Sequence, residues 1–253
     1  MRVGGMHETL FELSRLEVLD EAPADSRSVS VTGLVTYAQC PKRFFWSEID
    51  RLPRRRNPAA TAGTELHRRI ELHQRGQVPF DLLEPGLYDV IDEAVETGGF
   101  KAFLDSRFGT DRPALVEAPF TVELDNGYRV RGRIDAVYRD DRHWEIVDFK
   151  SGRPREDPSL MVQLEAYAVA AAKVDFGLPA PDAIDVTFAY LGGGLSTRTE
   201  HADEAWRLRA EQNLERLTDK VEAGEFEPSP GEWCRSCDFL RFCEPGRREV
   251  QGT

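Results

Sequence analysis

The sequence predicts a mixed α/β fold in which a central mixed β-sheet is flanked by helices. β-rich runs fill the middle of the chain, and segments with helical periodicity lie before and after them. Strands and helices that alternate in this way pack as layers around the sheet. At 253 residues, the chain is long enough to bury a substantial core as one domain.

The predicted domain begins after a short lead-in. Residues 1–28 are acidic and polar, and we interpret them as a loosely attached segment that precedes a single domain at 29–253. Thr32 is the predicted N-cap of a first short helix. Pro41 is suited to opening the next helix, and a basic loop follows it.

Two longer helices are predicted before the sheet. Residues 59–75 place Leu66, Ile70 and His73 at i, i+4 and i+7, on one helical face. Residues 86–107 form the second helix.

The strands are predicted from alternating runs that are rich in β-branched and aromatic residues. Residues 114–124 and 128–139 form a hairpin joined by Asn126-Gly127, a two-residue turn signal. The later predicted elements are a strand at 143–150, a helix at 158–175, a strand at 183–191 and a helix at 199–223. The tail, 228–246, is rich in Pro, Gly and Cys and has no clear period.

Composition and charge exclude several classes of protein. The hydrophobic share of 40% and the charged share of 31% are typical of a globular chain rather than a disordered one. No apolar run approaches the roughly 18–20 residues that cross a bilayer, and the first residues lack the pattern of a secretory signal. We therefore expect a cytoplasmic protein with no membrane partner. The net charge of −12 does not exclude nucleic acid, because contact surfaces are built from local patches.

The most informative residues lie around Asp148. Side chains alternate along a strand, so Asp148 and Lys150 point to one face and Phe149 to the other. Asp135, in the preceding strand, lies among apolar neighbours, where an unpaired carboxylate is costly to bury. Two carboxylates beside a lysine suit Mg²⁺ or Mn²⁺. Taken alone, Asp148 and Lys150 are open to the alternative interpretation of a surface pair on an edge strand.

These residue types suit the hydrolysis of a phosphodiester. Attack of water builds negative charge on the phosphoryl oxygens, which a divalent ion held by Asp135 and Asp148 can offset. Lys150 can orient the water and neutralise the developing charge.

The run GRIDAVYRDDRHWEIVDFKSG, at residues 132–152, resembles the central signature of the RecB-like PD-(D/E)xK nucleases. The matching positions are G-x-[IV]-D, with Asp135, and [IV]-x-D-x-K-[ST]-G, with Asp148 and Lys150. The resemblance implies a restriction-endonuclease-like fold and a metal-dependent DNA nuclease. It further implies an exonuclease of DNA repair or recombination that acts on single strands or DNA ends.

Further motifs extend the resemblance. The run QLEAY resembles the family's Q-x-x-x-Y motif, which makes Gln163 and Tyr167 candidates for catalysis and for lining the DNA path. The run AGTELHRRIE resembles the family's G-x-x-x-H helix, which makes His67 a candidate metal ligand. Glu117, in VEAPF, matches a weaker position that supports the catalytic site.

The four cysteines are predicted to bind metal. They are Cys40, Cys234, Cys237 and Cys243. Disulfides are not expected in a reducing cytoplasm, and three close cysteines with one distant cysteine fit paired zinc knuckles poorly. The spacing resembles the iron–sulfur subgroup of RecB-like nucleases, which includes AddB-type and CRISPR-associated spacer-trimming nucleases. That resemblance implies a [4Fe–4S] cluster held by four thiolates, and Zn²⁺ is the alternative.

The resemblance implies DNA as the partner, and Arg54, Arg55 and Arg56 of the basic loop are predicted to contact its phosphates. Residues 30–46 resemble the start of nuclease domains fused behind UvrD-like or AddA-type helicases, so a helicase subunit or a fused helicase is a further expected partner. The alternative function is a catalytically silent DNA-binding or scaffolding module. The intact acidic residues and lysine favour the enzyme.

Overall fold

The computed structural model describes only part of the chain. The described residues are 27–54, 58–77 and 98–252. The first 26 residues of the predicted lead-in, the part of the predicted helix before residue 98, and both Arg55 and Arg56 lie outside these ranges.

Within the described residues, a sheet and surrounding helices alternate as predicted. The strands are β1 (Ser28–Ser30), β2 (Leu115–Glu123), β3 (Arg129–Asp140), β4 (His143–Lys150), β5 (Ala183–Tyr190) and β6 (Ser196–His201). The helices are α1 (Val31–Gln39), α2 (Pro41–Phe44), α3 (Pro58–Gln74), α4 (Gly99–Leu104), α5 (Arg107–Thr110), α6 (Met161–Lys173), α7 (Glu204–Glu222) and α8 (Glu244–Gln251). A π-helical turn covers Phe45–Ile49, and 3₁₀ turns cover Pro158–Leu160, Glu232–Ser236 and Leu240–Phe242.

The described strands form one mixed sheet. Its order is β1-β3-β4-β5-β6, and β2 pairs with the other edge of β3. β3 is antiparallel to β2 and β4, whereas β1 is parallel to β3 and β4 is parallel to β5. The predicted fold class, a mixed sheet flanked by helices, is therefore confirmed.

One edge of β3 is shared by two strands. β1 pairs with Arg129–Arg131 near the start of β3, and β4 pairs with Ala136–Asp140 near its end. The sheet therefore forks between β1 and β4, and the last β3–β4 pair before the fork is Ala136 with Val147. Asp135 and Asp148 are the next residue of each strand, at the point where the two strands part.

Apolar clusters cover both sides of the sheet. The larger cluster includes Ile146 and residues of α1, α6 and α7. The smaller one joins Val147 and Phe149 to Leu66 and Ile70 of α3. The side-chain alternation predicted for β4 is thus confirmed, and α3 packs through the predicted face.

Three predicted local features are wrong. The first helix is capped by Ser30 rather than Thr32, because the Ser30 side chain accepts a hydrogen bond of 2.9 Å from the N–H of Gly33. The β2–β3 turn is one residue longer than the predicted type, since the N–H of Leu124 donates to the carbonyl of Tyr128. Residues 199–201, predicted as helix, belong to β6, an edge strand with little apolar surface.

Candidate active site

Asp148 lies fully buried near the end of β4, where polar groups of α6 surround it. Its Oδ1 accepts a hydrogen bond of 2.5 Å from Nε2 of Gln163, and its Oδ2 lies 2.8 Å from Nζ of Lys150. Nζ of Lys150 also donates to Oε1 of Gln163 at 2.6 Å. One amide therefore fixes both the carboxylate and the ammonium, as the predicted one-face arrangement of Gln163 and Tyr167 on α6 allows.

Tyr167 satisfies a backbone group that the fork leaves open. Its hydroxyl donates to the carbonyl of Arg133 at 2.9 Å and accepts from Nε2 of Gln163 at 2.8 Å. On the other strand of the fork, the N–H of Phe149 donates to Oδ2 of Asp135 at 2.9 Å. Because buried backbone groups require partners, these two side chains hold the fork open in a defined geometry.

A second group of ligand atoms gathers beside the fork. His67 of α3, Glu117 of β2 and Asp135 of β3 each offer one ligand atom, and the three atoms lie within 4.8 Å of one another. Nδ1 of His67 is 3.3 Å from Oδ2 of Asp135. The structure thus gathers all the residues that the sequence analysis proposed for the catalytic centre. Glu117 lies with His67 and Asp135 among the potential ligands. Asp148 instead contacts Lys150 and the side-chain amide of Gln163.

Glu117 reaches this group through a strained backbone. Its φ is +50°, although it lies inside β2. A non-glycine residue in this region is uncommon, and such strain is concentrated at functional sites. Oε2 of Glu117 forms an ion pair with Nε of Arg133. The sequence motif matched Glu117 only weakly, and no sequence pattern announces a positive φ here.

Burial or the closely spaced carboxylates raise the pKa values of three groups in the site. Burial raises the pKa of Asp148 to about 6, with the carboxylate of Asp135 acting in the same direction and Lys150 offsetting part of the rise. Burial and the same neighbouring carboxylate raise the pKa of Glu117. Burial opposes protonation of His67, but its hydrogen bond to Asp135 and the nearby carboxylates outweigh burial and raise its pKa to about 9.

The residues present fit a divalent cation. Oε2 of Glu117 and Oδ2 of Asp148 are buried and have no hydrogen-bond partner in the described part of the chain, although a cation lies near each. Carboxylate oxygens and an imidazole are suitable ligands for Mn²⁺ and Mg²⁺. An ion there would lower the cost of placing the carboxylates so close together.

The cysteines of the two chain ends come together around one small cavity. Cys40, Cys234, Cys237 and Cys243 all line it, together with Trp46 and Trp233. A Cβ on Gly246 would lie 3.3 Å from Sγ of both Cys234 and Cys243, a tight contact that glycine avoids. Burial and the neighbouring thiols raise the pKa of Cys234 and Cys237.

A hydrogen-bonded chain links this cavity to α6, and the sequence analysis missed it. Arg43, which lines the cavity, donates to Oε1 of Gln39 at 2.9 Å, and Nε2 of Gln39 donates to Oδ2 of Asp157 at 2.8 Å. Oδ1 of Asp157 accepts from the N–H of Ser159 at 3.1 Å and caps the 3₁₀ turn that leads into α6. An Asp that precedes a helix is a sequence signal that can reveal such a cap.

Arg54 is the one member of the predicted phosphate-binding loop within the described ranges. It is exposed and pairs with Glu48 at 2.5 Å. None of the helices in the described ranges is both long enough and apolar enough to span a bilayer.

The fold and the site together define a class of protein. Carboxylates and a lysine lie together at a fork between strands of a mixed sheet, an arrangement that could hold a divalent ion beside a positive charge. The family model of the PD-(D/E)XK nuclease superfamily matches residues 28–244. The chain belongs to that superfamily.

Two phage proteins and one solved structure are similar to this chain. The chain is 35% identical over 135 residues to the Gene 69 protein of Mycobacterium phage L5, and 32% identical over 137 residues to the Gene 69 protein of Mycobacterium phage D29. The matches cover 52% and 53% of this chain and 44% and 49% of the phage proteins, so they span about half of those relatives. A crystal structure from Eubacterium rectale, named as a candidate exonuclease, matches with a TM-score of 0.50 at 16% identity. That match covers 96% of this chain and 94% of the other, and it shows the fold alone.

Proposed function

We propose that this chain is a divalent-metal-dependent deoxyribonuclease that acts as an exonuclease on single-stranded DNA or DNA ends. The observation that carries the proposal is the fork. Asp135 and Asp148 directly follow the last β3–β4 pair there and lie side by side. His67 and Glu117 approach Asp135 from α3 and β2. Lys150 stands beside Asp148 and is half-buried.

The proposed catalytic roles follow from the contacts of each side chain. His67, Glu117 and Asp135 are the proposed ligands of Mn²⁺ or Mg²⁺, with Asp148 at the margin of the site. The bound ion would supply Lewis-acid chemistry toward the scissile phosphate. Lys150, held by the amide of α6, places its ammonium where it can offset charge that develops on the phosphoryl oxygens.

Gln163 and Tyr167 are proposed to position the catalytic groups. Nε2 of Gln163 donates to Asp148 while its Oε1 accepts from Lys150, so the amide cannot rotate without losing both contacts. Tyr167 orients that amide through its hydroxyl. Rigid placement of this kind supports a preorganised charge-stabilising site.

We also propose that the four cysteines hold a [4Fe–4S] cluster, as in the iron–sulfur subgroup of RecB-like nucleases. The four thiols line one cavity, which supports a shared metal centre. One early cysteine with three late ones fits paired zinc knuckles poorly, and Zn²⁺ is the alternative.

The proposed setting is cytoplasmic DNA repair or recombination. A helicase subunit, or a fused helicase, is the proposed partner, on the resemblance of residues 30–46 to helicase-linked nuclease domains. The exposed Arg54, with Arg55 and Arg56 of the same loop, is proposed to contact DNA phosphates.

The test uses end-labelled single-stranded and blunt double-stranded DNA, each incubated with Mn²⁺, Mg²⁺ or EDTA. We expect cleavage from ends with either metal and none in EDTA. Lys101→Ala, which changes an exposed lysine of α4, serves as the matched control for Lys150→Ala. DNA binding without cleavage in any metal would instead identify a silent module.

A further inference from the structure

The strand that leads to Asp135 carries a row of arginines. Arg129, Arg131 and Arg133 occupy alternate positions of β3, and all three are exposed. We call them the arginine row. Residues between them, such as Val130, point to the core on the opposite face. The row therefore lies on a solvent-facing side of the sheet and ends two residues before Asp135.

The strand beside the row leaves this face open. In register with the row, β2 presents Glu123, Thr121 and Pro119, and all three are exposed. The pairing of Arg129 with Glu123 spans 3.5 Å between exposed groups, and pairs of this kind contribute little to stability. Arg131 lies opposite Thr121, and its side chain has no hydrogen bond or ion pair in the described part of the chain. The Arg131 side chain can therefore exchange solvent contacts for an anionic ligand at little cost.

The row joins the candidate active site directly. Arg133 forms an ion pair with Glu117, whose carboxylate is one of the three gathered ligand atoms. A cationic path that ends at an acidic centre is what a polyanionic substrate requires, because the net charge of −12 otherwise repels it.

The spacing of the row indicates the form of the ligand. Alternate residues of a strand are separated by about 6.7 Å. Consecutive phosphates along one nucleic-acid strand are separated by a similar distance. Proteins track single strands along positively charged grooves of this kind.

We propose that the arginine row binds consecutive backbone phosphates of one extended DNA strand and leads that strand to Asp135. The proposal rests on the proposed nuclease function, since it states where that substrate lies. It adds a binding surface on β3 to the loop of Arg54.

The experiment measures binding of a fluorescein-labelled oligo(dT) of about 20 nucleotides in EDTA, by anisotropy over a range of salt concentrations. Arg131→Ala is compared with Arg139→Ala. Arg139 is an exposed arginine on the same strand, beyond the fork, and its side chain also has no hydrogen bond or ion pair among the described residues. We expect Arg131→Ala to flatten the log–log salt slope by about 0.7 and to weaken binding about fivefold at 0.1 M salt. Arg139→Ala should bind like the wild type.

A conservative variant and a duplex substrate distinguish failure of the arginine row from failure of the proposed nuclease function. Arg131→Lys should restore most of the affinity, which excludes a folding defect as the cause of the loss. Equal affinities and slopes for Arg131→Ala and Arg139→Ala would overturn the proposal, and so would an equal loss on a blunt duplex of the same length. If the wild type cleaves DNA but the Arg131 variants bind normally, the row fails and the nuclease stands. If the row binds DNA and no metal supports cleavage, the nuclease fails and the row stands.

Discussion

The backbone N–H of Phe149 donates a hydrogen bond of 2.9 Å to Oδ2 of Asp135, across the fork between β3 and β4. A side chain thus takes the place of the backbone acceptor that β3 no longer offers at this point. The same carboxylate oxygen lies 3.3 Å from Nδ1 of His67. Asp135 is therefore both a structural bridge and a candidate ligand. A substitution of Asp135 would change the fold and the candidate metal site together.

Asp148→Asn and Lys150→Ala should each reduce DNA cleavage by several orders of magnitude, because both remove charge from the proposed reaction centre. The measurement is single-turnover cleavage of end-labelled DNA in Mn²⁺, with circular dichroism to show that the fold persists. Asp140→Asn, at the exposed end of β3, is the control and should retain normal rates. Folded Asp148 or Lys150 variants that cleave within tenfold of the wild type would remove these residues from the mechanism.

Glu117→Gln should weaken Mn²⁺ binding about tenfold or more, since it removes a charged oxygen from the proposed ligand group. Calorimetry without DNA measures the metal alone. Glu123→Gln changes an exposed carboxylate of the same strand and should leave the affinity unchanged. Equal affinities for the two variants would place the ion elsewhere.

In the metal-free protein, His67 should titrate near pH 9, and its NMR signal can be assigned with His67→Gln. The sign follows from the raised pKa: the protonated ring stabilises the fold fully below about pH 6.5, and this stabilisation is lost as pH rises through about 9. Thermal melts in EDTA should therefore fall across this range in the wild type more than in His67→Gln. A His67 signal that titrates near pH 6.5 would contradict the expected coupling to Asp135.

Tyr167→Phe should lower the free energy of unfolding by about 1–3 kcal/mol, because the carbonyl of Arg133 loses its donor in a buried place. Urea denaturation of the metal-free protein measures the change. Tyr190→Phe, another buried tyrosine of the same core cluster, provides a comparison of equal size. A smaller loss at Tyr167 than at Tyr190 would argue against its role in the fork.

Protein purified without oxygen should be brown and contain about four irons per chain. Cys40→Ala should lose this colour and melt at a lower temperature. The cluster would link segments nearly 200 residues apart, and losing that link gives the unfolded chain more conformational freedom. Colourless protein with one zinc per chain would replace the cluster with a zinc site.

Much of β4 could be predicted from the sequence, because its β-branched and aromatic residues form one short run that polar residues bound on both sides. The positions of Gln163 and Tyr167 on one face of α6 followed from their spacing. The position of Glu117 beside His67 and Asp135 could not be predicted, because its backbone has a positive φ that no sequence pattern announces. β6 escaped prediction because an exposed edge strand lacks the apolar alternation that identifies a strand.

The short strand β1 has a consequence for the accuracy of the catalytic alignment. If β3 slid by two residues along β4, every side chain would keep its inward or outward direction, so the apolar pattern alone would tolerate the shift. Such a slip would carry Asp135 away from Asp148. β1 pairs with Arg129–Arg131 of β3 and continues into α1, which packs in the same apolar cluster as α6. A slide of β3 would therefore have to break this pairing or move α1. The three residues Ser28–Ser30 thereby help to hold Asp135 and Asp148 side by side on neighbouring strands.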